Sequence, residues 1–103
     1  MLIVILITAK DIKEAKKISA ALLNKKLVAC VNIVKGIQSL FWWDKRIDSA
    51  KEVLLVVKTK RSCFKKIVET VKAVHSYSCP EIIALPIVDG SKDYLRWLNE
   101  SVR

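Results

Sequence analysis

Residues 2–8 read LIVILIT, an uninterrupted run of apolar side chains, most of them β-branched. Such a run predicts a strand that is buried on both of its faces. A second apolar run, VLLVV at residues 53–57 within the segment 52–59, predicts another such strand. If helices cover only one face of a sheet built on these strands, the other face is an apolar patch that needs a partner chain to cover it.

Helical patterns separate the strands. Asp11 followed by Glu14 predicts a capped helix start, and Ser62 is a candidate cap for a second helix. The residues expected to form the apolar stripes of these helices are Ile12, Ala15, Ile18, Leu22 and Leu23 in the first, and Phe64, Ile67, Val68, Val71 and Val74 in the second. A last short helix is predicted after Gly90 and Ser91, carrying Tyr94, Trp97 and Leu98.

The remaining segments favour extended structure. Residues 27–35 predict a strand that ends at Gly36, residues 37–43 resume extended character, and residues 44–46 predict a turn. Residues 82–88 predict an edge strand, because Pro86 cannot donate a hydrogen bond to a neighbouring strand.

The order β-α-β-β-α-β-α predicts an α+β fold over a single domain, residues 1–103. We expect a ferredoxin-like β-α-β-β-α-β sandwich, with the first and third strands central and an extra C-terminal helix. The hairpin between residues 27 and 59 has arms of about 16 residues, or roughly 50 Å at strand rise. Because the first strand is less than half as long, we expect the extended hairpin to reach a neighbouring subunit.

Composition limits the class of protein. The chain has 103 residues, 52% of them hydrophobic, which excludes a disordered protein. The first apolar run is too short for a membrane span, and three widely spaced cysteines suit a reducing, cytoplasmic compartment. The net charge of +9 fits either lysine-rich solvated helix faces or an anionic partner, such as nucleic acid or a phosphorylated ligand.

The segment HSYSCPE at residues 75–81 contains the only histidine and is the main candidate for a metal site. His75 and Cys79 are four residues apart and, with Cys30, give at most three soft ligands, which suit copper or zinc. Cys63 is excluded, since 12 helical residues place it about 18 Å from His75. The alternatives are buried thiols and a hydrogen-bonded imidazole, and a helix C-terminus favours the charged form of His75.

The aromatic residues suggest a cleft between subunits. Trp42 and Trp43 are adjacent on an extended segment, so one is expected in the core and the other at an interface or pocket. The candidate lining of the cleft is Trp43, Tyr77 and Trp97, with Lys58 and Glu81 as polar anchors.

Catalysis and nucleic-acid binding through the sheet are both disfavoured. The chain has no glycine-rich phosphate loop, no evident pair of carboxylates and no oxyanion hole for a Cys–His pair, so we expect no enzyme. RNA-binding sheets of this topology use aromatics on central strands, and the third strand has none, so we do not expect nucleic acid there.

The chain resembles the CutA family of divalent-cation tolerance proteins over nearly its whole length. The residues that carry this resemblance are Leu27-Val28-Ala29-Cys30-Val31-Asn32, Trp42-Trp43 with Ile47, Glu52, Lys58-Thr59, His75-x-Tyr77-x-x-Pro80-Glu81, and Tyr94-Leu95-x-Trp97-Leu98. The resemblance implies a homotrimer, similar in architecture to PII signalling proteins, and a role in tolerance of divalent metals, with copper the ion most often named. It also implies metal-ligand positions at Cys30 and His75 and cleft positions at Trp43, Lys58, Tyr77 and Glu81.

Three positions depart from the family pattern. Ser76 stands where the family often has proline, Lys45 stands where a glycine is common at the hairpin tip, and Cys79 is not expected. Two hypotheses follow. The first is a non-enzymatic homotrimer that binds copper or a similar divalent cation. The second is a PII-like module that recognises a small anionic ligand or a partner protein at the cleft.

Overall fold

The computed structural model describes all 103 residues. Its elements are β1 (Leu2–Ala9), α1 (Ile12–Asn24), β2 (Cys30–Trp43), β3 (Arg46–Lys60), a 3-10 turn (Arg61–Cys63), α2 (Phe64–Val74), β4 (Ile82–Pro86) and α3 (Lys92–Ser101). The strands form one antiparallel sheet in the order β2-β3-β1-β4. The predicted α+β ferredoxin-like arrangement is confirmed, with β1 and β3 central, β4 at an edge and an added C-terminal helix.

The helices cover one face of this sheet. The predicted cap of α1 is present, because the Asp11 side chain accepts a hydrogen bond from the backbone N–H of Glu14 over 2.8 Å. Ile18 and Leu22 of α1 and Ile67 of α2 have no exposed surface, and they join a cluster of 17 buried apolar residues. Leu23 was predicted in the same stripe, but it faces solvent with 43% of its surface exposed.

The start of α2 differs from the prediction. Ser62 was expected to cap this helix, but it lies inside the 3-10 turn, and α2 begins two residues later at Phe64. Neither the turn nor α2 has a side-chain cap. The chain therefore enters α2 by tightening its first turn, which is a common way to begin a helix without a capping residue.

Gly36 bends β2 and does not end it. Val34 pairs with Leu54 and Ile37 pairs with Glu52, so Lys35 and Gly36 together stand opposite Val53. This is a β-bulge, and Gly36 adopts a φ of +74°, which a residue without a Cβ reaches at little cost. Because one extra residue reverses the side to which side chains point, odd-numbered residues of β2 share a face with even-numbered residues of β3 beyond the bulge.

The hairpin closes in a two-residue turn. Trp43 pairs with Arg46, and the intervening Asp44 and Lys45 both have positive φ, 51° and 64°. This pattern is that of a type I′ turn, whose twist matches that of the strands it joins. Only residues 53–60 of β3 pair with β1, so residues 37–52 form a two-stranded arm beyond the sheet.

The face of the sheet opposite the helices is apolar and open. Val4, Leu6, Leu54 and Val56 of the central strands are half-buried there, and Ile83 of β4 is 51% exposed. On the arm, Trp42 and Ile47 pair across the hairpin on the opposite side from this face, and both are exposed. Neither Trp42 nor Trp43 lies in the core of the chain, although one of them was expected there. The longest helix, α1, has 13 residues, and none of the helices could span a membrane.

Candidate functional site

A groove of about 930 Å³ lies between the arm of the hairpin and the loop that follows α2. The groove is lined by Thr8 at the end of β1, by Gln38, Ser39, Leu40, Phe41 and Trp43 of β2, by Asp48, Ser49, Ala50 and Glu52 of β3, and by Tyr77, Ser78, Cys79 and Glu81 of the loop. Part of the most conspicuous sequence segment, from Tyr77 to Glu81, therefore forms one wall of the groove.

The pairing of the two strands beyond the bulge determines which side chains of the arm face this groove. Phe41 pairs with Asp48 across the hairpin, so the two side chains lie on the same side of the arm. Trp43 lies two residues beyond Phe41 and shares that side, whereas Trp42 points away and is 74% exposed. Trp43 thus lines the groove, but neither tryptophan takes the core position that was expected for one of them.

Tyr77 joins the loop to the arm. Its hydroxyl donates a hydrogen bond of 2.8 Å to a carboxylate oxygen of Glu52, which is itself buried. Burial, together with the adjacent Glu52 carboxylate, raises the pKa of Tyr77 to about 12. The phenol is therefore uncharged at neutral pH and serves as a hydrogen-bond donor that holds the groove wall to β3.

Both ring nitrogens of His75 bind backbone groups. Nε2 lies 2.8 Å from the carbonyl oxygen of Thr8, and Nδ1 accepts a 3.0 Å hydrogen bond from the backbone N–H of Tyr77. A carbonyl only accepts, so Nε2 carries the proton and the ring is the neutral tautomer. The position of His75 at the end of a helix favoured the charged ring, whereas these two contacts require the neutral one. A metal ion at His75 would have to replace one of the two hydrogen bonds.

Glu14 holds the same loop from below. One of its carboxylate oxygens accepts from the backbone N–H of Lys10 over 3.0 Å, and the other accepts from that of Ser76 over 2.8 Å. Burial alone would raise the pKa of Glu14, but the hydrogen bonds from Ser76 and Lys10 outweigh it and hold the pKa below its usual value. The capping pattern predicted the place of Glu14 in the first turn of α1. Its hydrogen bond to Ser76, 62 residues away, could not be predicted from the sequence.

The three predicted metal ligands lie in three different places. Cys79 is exposed in the groove, His75 has a fully buried side chain behind it, and Cys30 is on the open face of the sheet. Lys58 of β3 pairs with Cys30 on one side and with Val4 of β1 on the other, so Cys30 and Val4 lie at the same position along the sheet. Thr8, which contacts His75, lies four residues further along β1, roughly 13 Å from Val4. The chain brings no three His, Cys, Asp or Glu side chains together as a metal-binding group.

The predicted cleft residues divide in a similar way. Trp43, Tyr77 and Glu81 all line the groove. Lys58 lies on the open sheet face, where its ammonium donates to the side-chain carbonyl of Asn32, and Trp97 lies on α3 against Tyr94, with ring centres 5.4 Å apart.

Two carboxylates of the groove, Asp48 and Glu52, were not predicted as site residues. The sequence did contain a signal for them, because residues 48, 50 and 52 of an extended segment must share one face.

Comparison with known proteins gives consistent results. A model of the family described as "CutA1 divalent ion tolerance protein" matches residues 3–101. The divalent-cation tolerance protein CutA of Thermus thermophilus is 46% identical over 98 residues, which cover 95% of each chain. A chloroplastic CutA 1 protein of rice is 43% identical over 98% of this chain. The chain spans 57% of that rice protein and 56% of a chloroplastic CutA protein of Arabidopsis thaliana.

Solved structures agree with the sequence comparison. The structure of the Thermus thermophilus protein superimposes with a TM-score of 0.97, at 45% identity and with both chains fully covered. That of a protein described as the periplasmic divalent cation tolerance protein CutA of Archaeoglobus fulgidus has a TM-score of 0.96, at 46% identity and full coverage of both chains. The similarity therefore includes the arm of the hairpin and the loop that form the groove.

Proposed function

Because the chain belongs to the CutA1 divalent ion tolerance family, we propose that it works as a homotrimer that binds copper or a similar divalent cation. The charge of the groove is the observation that supports a cation. Its lining includes the carboxylates of Asp48, Glu52 and Glu81 and the thiol of Cys79, with no lysine or arginine, in a chain whose net charge is +9. Such a surface attracts cations and repels anions.

Cys79 and Glu81 are the side chains best suited to contact the ion. Both are exposed in the groove, whereas Glu52 accepts the hydrogen bond from Tyr77. Thiolate and carboxylate groups are ligands of zinc and copper, with thiolate favouring the softer ions. Since no three-ligand group exists within one chain, a second copy would supply the remaining ligands.

The open sheet face supports assembly. Val56 and Leu6 are cross-strand neighbours in the middle of this face, and Ile83 pairs with Leu6 on its other side. Burying these residues against other copies would remove a contiguous apolar surface from water, at about 25 cal/mol per Å². The exposed arm would then contact the neighbouring copies and bring its groove to a subunit boundary.

Zinc titration by calorimetry tests the cation site, with cobalt(II) absorption as a second readout of thiolate binding. We expect Glu81→Gln and Cys79→Ser each to weaken zinc binding on the order of tenfold or more, and Cys79→Ser to remove the cobalt–thiolate band. Cys30→Ser is the matched control, because it removes a thiol from the sheet face. Unchanged binding in both groove variants would refute the site, and loss in Cys30→Ser would place the ion on the sheet.

A PII-like module that recognises a small anionic ligand or a partner protein is the second candidate. The aromatic walls of the groove favour it, since Phe41, Trp43 and Tyr77 offer flat surfaces to an organic ligand. The carboxylates disfavour an anion. A thermal-shift screen separates the two candidates: stabilisation by an anionic ligand that Trp43→Ala abolishes would support the second.

The groove is proposed as a binding site and not as a catalytic one, because Cys79 has no histidine placed to activate it: both nitrogens of the only ring are bound to backbone. A cytoplasmic location is also part of this proposal. All three cysteines are free thiols, which suits a reducing compartment. Relatives are described as chloroplastic or periplasmic, so fractionation of the native cells is the measurement that tests the location.

A further inference from the structure

The net charge of the chain is concentrated in one layer. We use the term helical layer for residues 10–26 and 60–74, which contain α1, α2 and the segments at their ends. These residues include eleven of the nineteen lysines and arginines and only three of the ten acidic residues. The helical layer thus carries a formal charge of +8 out of +9, and the rest of the chain is almost neutral.

The fold presents this charge on a continuous exposed surface. α1 and α2 contact each other, and both direct their apolar side chains into the core. The lysines that remain exposed on the two helices are Lys13, Lys16, Lys17, Lys65, Lys66 and Lys72. This surface lies on the side of the sheet opposite the open apolar face, so assembly through that face leaves it accessible.

The acidic residues of the helical layer do not neutralise it. Glu14 is buried against the loop, so Asp11, which caps α1, and Glu69 are the two exposed acidic residues of the layer, against six exposed lysines on the helices. The only approach within 4.0 Å between a basic and an acidic side chain is that of His75 Nδ1 to Glu14, at 3.9 Å, and it involves no lysine or arginine. No lysine of the helical layer is therefore paired with a carboxylate.

We propose that the helical layer binds the phosphate backbone of nucleic acid without reading its sequence. Ten of its eleven basic residues are lysines, which act as point charges toward phosphate, and only Arg61 has a fork suited to base edges. Each helix is about 15–20 Å long at 1.5 Å per residue. A duplex carries one charge per roughly 1.7 Å of its axis, so several phosphates fit within that length.

Two other modes fit the structure less well. RNA-binding sheets stack bases on aromatic side chains of their central strands, and β1 and β3 have no aromatic residue. This requirement applies to the sheet only, because the helical layer is a different surface on the other side of it. Helices that insert into a membrane surface need an exposed apolar face, and here those of α1 and α2 are buried in the core. Leu23 is the only large apolar side chain of the helical layer that is substantially exposed.

Fluorescence anisotropy with a labelled 20-base-pair duplex of arbitrary sequence tests this proposal across a range of salt concentrations. The test variant replaces Lys13, Lys16 and Lys17 with glutamine. The matched control replaces Lys35, Lys51 and Lys92, which are exposed outside the helical layer, and so changes the net charge equally. Light scattering confirms that both variants keep the wild-type mass.

We expect the wild-type protein to bind the duplex at low salt, with an affinity that falls steeply as salt rises. The test variant should bind on the order of tenfold more weakly, with a slope of log affinity against log salt reduced by about 2 to 3, whereas the control should lose much less. No wild-type binding at low salt, or equal losses in the two variants, would overturn the proposal. Binding to anionic lipid vesicles in the absence of duplex binding would overturn it too.

Discussion

The backbone N–H of Tyr77 donates its hydrogen bond to Nδ1 of His75, two residues earlier, over 3.0 Å. This contact turns the chain sharply at the end of α2 and brings the two rings together, with centres 4.8 Å apart. Because Nε2 of the same ring donates to Thr8, the imidazole ties the loop to the end of β1. His75 thus acts first as a structural support for the groove wall that carries Tyr77, Cys79 and Glu81.

Replacement of His75 should destabilise the fold. His75→Ala leaves the Thr8 carbonyl and the Tyr77 N–H without partners in a buried position, so we expect a loss of about 2–4 kcal/mol in the free energy of unfolding. Denaturant titration at fixed protein concentration measures it. His75→Gln can restore one of the bonds and should lose less. A loss below about 0.5 kcal/mol in His75→Ala would show that the ring is not a support.

Glu14 should make the protein sensitive to acid. Its pKa is lowered in the folded state, so its contribution is present above the unfolded value of about 4.3 and is lost as pH falls through the lower, folded value. Glu14→Gln should cost about 1–3 kcal/mol near neutral pH and show a flatter decline below about pH 4. Glu69→Gln, on the exposed face of α2, is the control. Parallel acid profiles for wild type and Glu14→Gln would contradict this role.

Tyr77 should resist ionisation. With a folded pKa of about 12, its phenolate absorbance should rise only near that pH. Because the folded pKa lies above the usual value of about 10, the stability that it contributes is complete below about pH 10 and falls as pH rises toward 12. Tyr77→Phe removes the phenol and should lack this alkaline decline. A Tyr77-dependent absorbance change near pH 10 would argue against the bond to Glu52 in solution.

Lys45 should be a point of backbone strain. It has a φ of +64° in the turn of the hairpin, a conformation that costs a residue with a Cβ about 1–2 kcal/mol. Lys45→Gly should therefore raise stability by about 0.5–1 kcal/mol, after allowing for the larger entropy of glycine in the unfolded chain. Lys51→Gly, within β3 and without positive φ, should instead lower it. Thermal unfolding of the two variants gives the comparison, and a common sign would contradict the prediction.

The open face of the sheet should control assembly. Val56→Lys places a charge in the middle of this face, so we expect the protein to dissociate to chains of 11.7 kDa, whereas Ala73→Lys on the exposed side of α2 should keep three copies together. Light scattering measures both masses. A wild-type protein that already has the mass of one chain would refute the trimer.

Local patterns predicted the framework of the fold well. The apolar runs at β1 and β3 identified the central strands, because a short continuous run of apolar, β-branched residues is typical of a strand buried on both faces. Asp11 identified the start of α1, and Pro86 identified the edge strand. Gly36 was misread as the end of a strand, since a glycine in a β-bulge and a glycine in a loop look alike until the pairing of the neighbouring strand is known.

The candidate site was harder to predict, because long-range pairing assembles it. Cys30, His75 and Cys79 share a chemistry but not a location, and the distance along β1 that separates Cys30 from His75 depends on strand register. The link between Tyr77 and Glu52 joins residues 25 positions apart, and a pattern of spacing along the chain contains no trace of it. Spacing found the groove wall at residues 77–81 but not the opposing carboxylates.

The pairing of the arm also limits how the arm could vary in length. Removing one residue between Val34 and Ile37 would straighten the bulge and leave Trp43 opposite Arg46 and on the groove side, because the unbulged strand β3 fixes the side of each pair. A paired insertion, one residue in each strand beyond the bulge, would keep the pairing but turn the side chains nearer the tip to the other side, so that Trp42 would replace Trp43 on the groove side. Relatives of this chain are therefore expected to lengthen or shorten the arm by two residues in each strand.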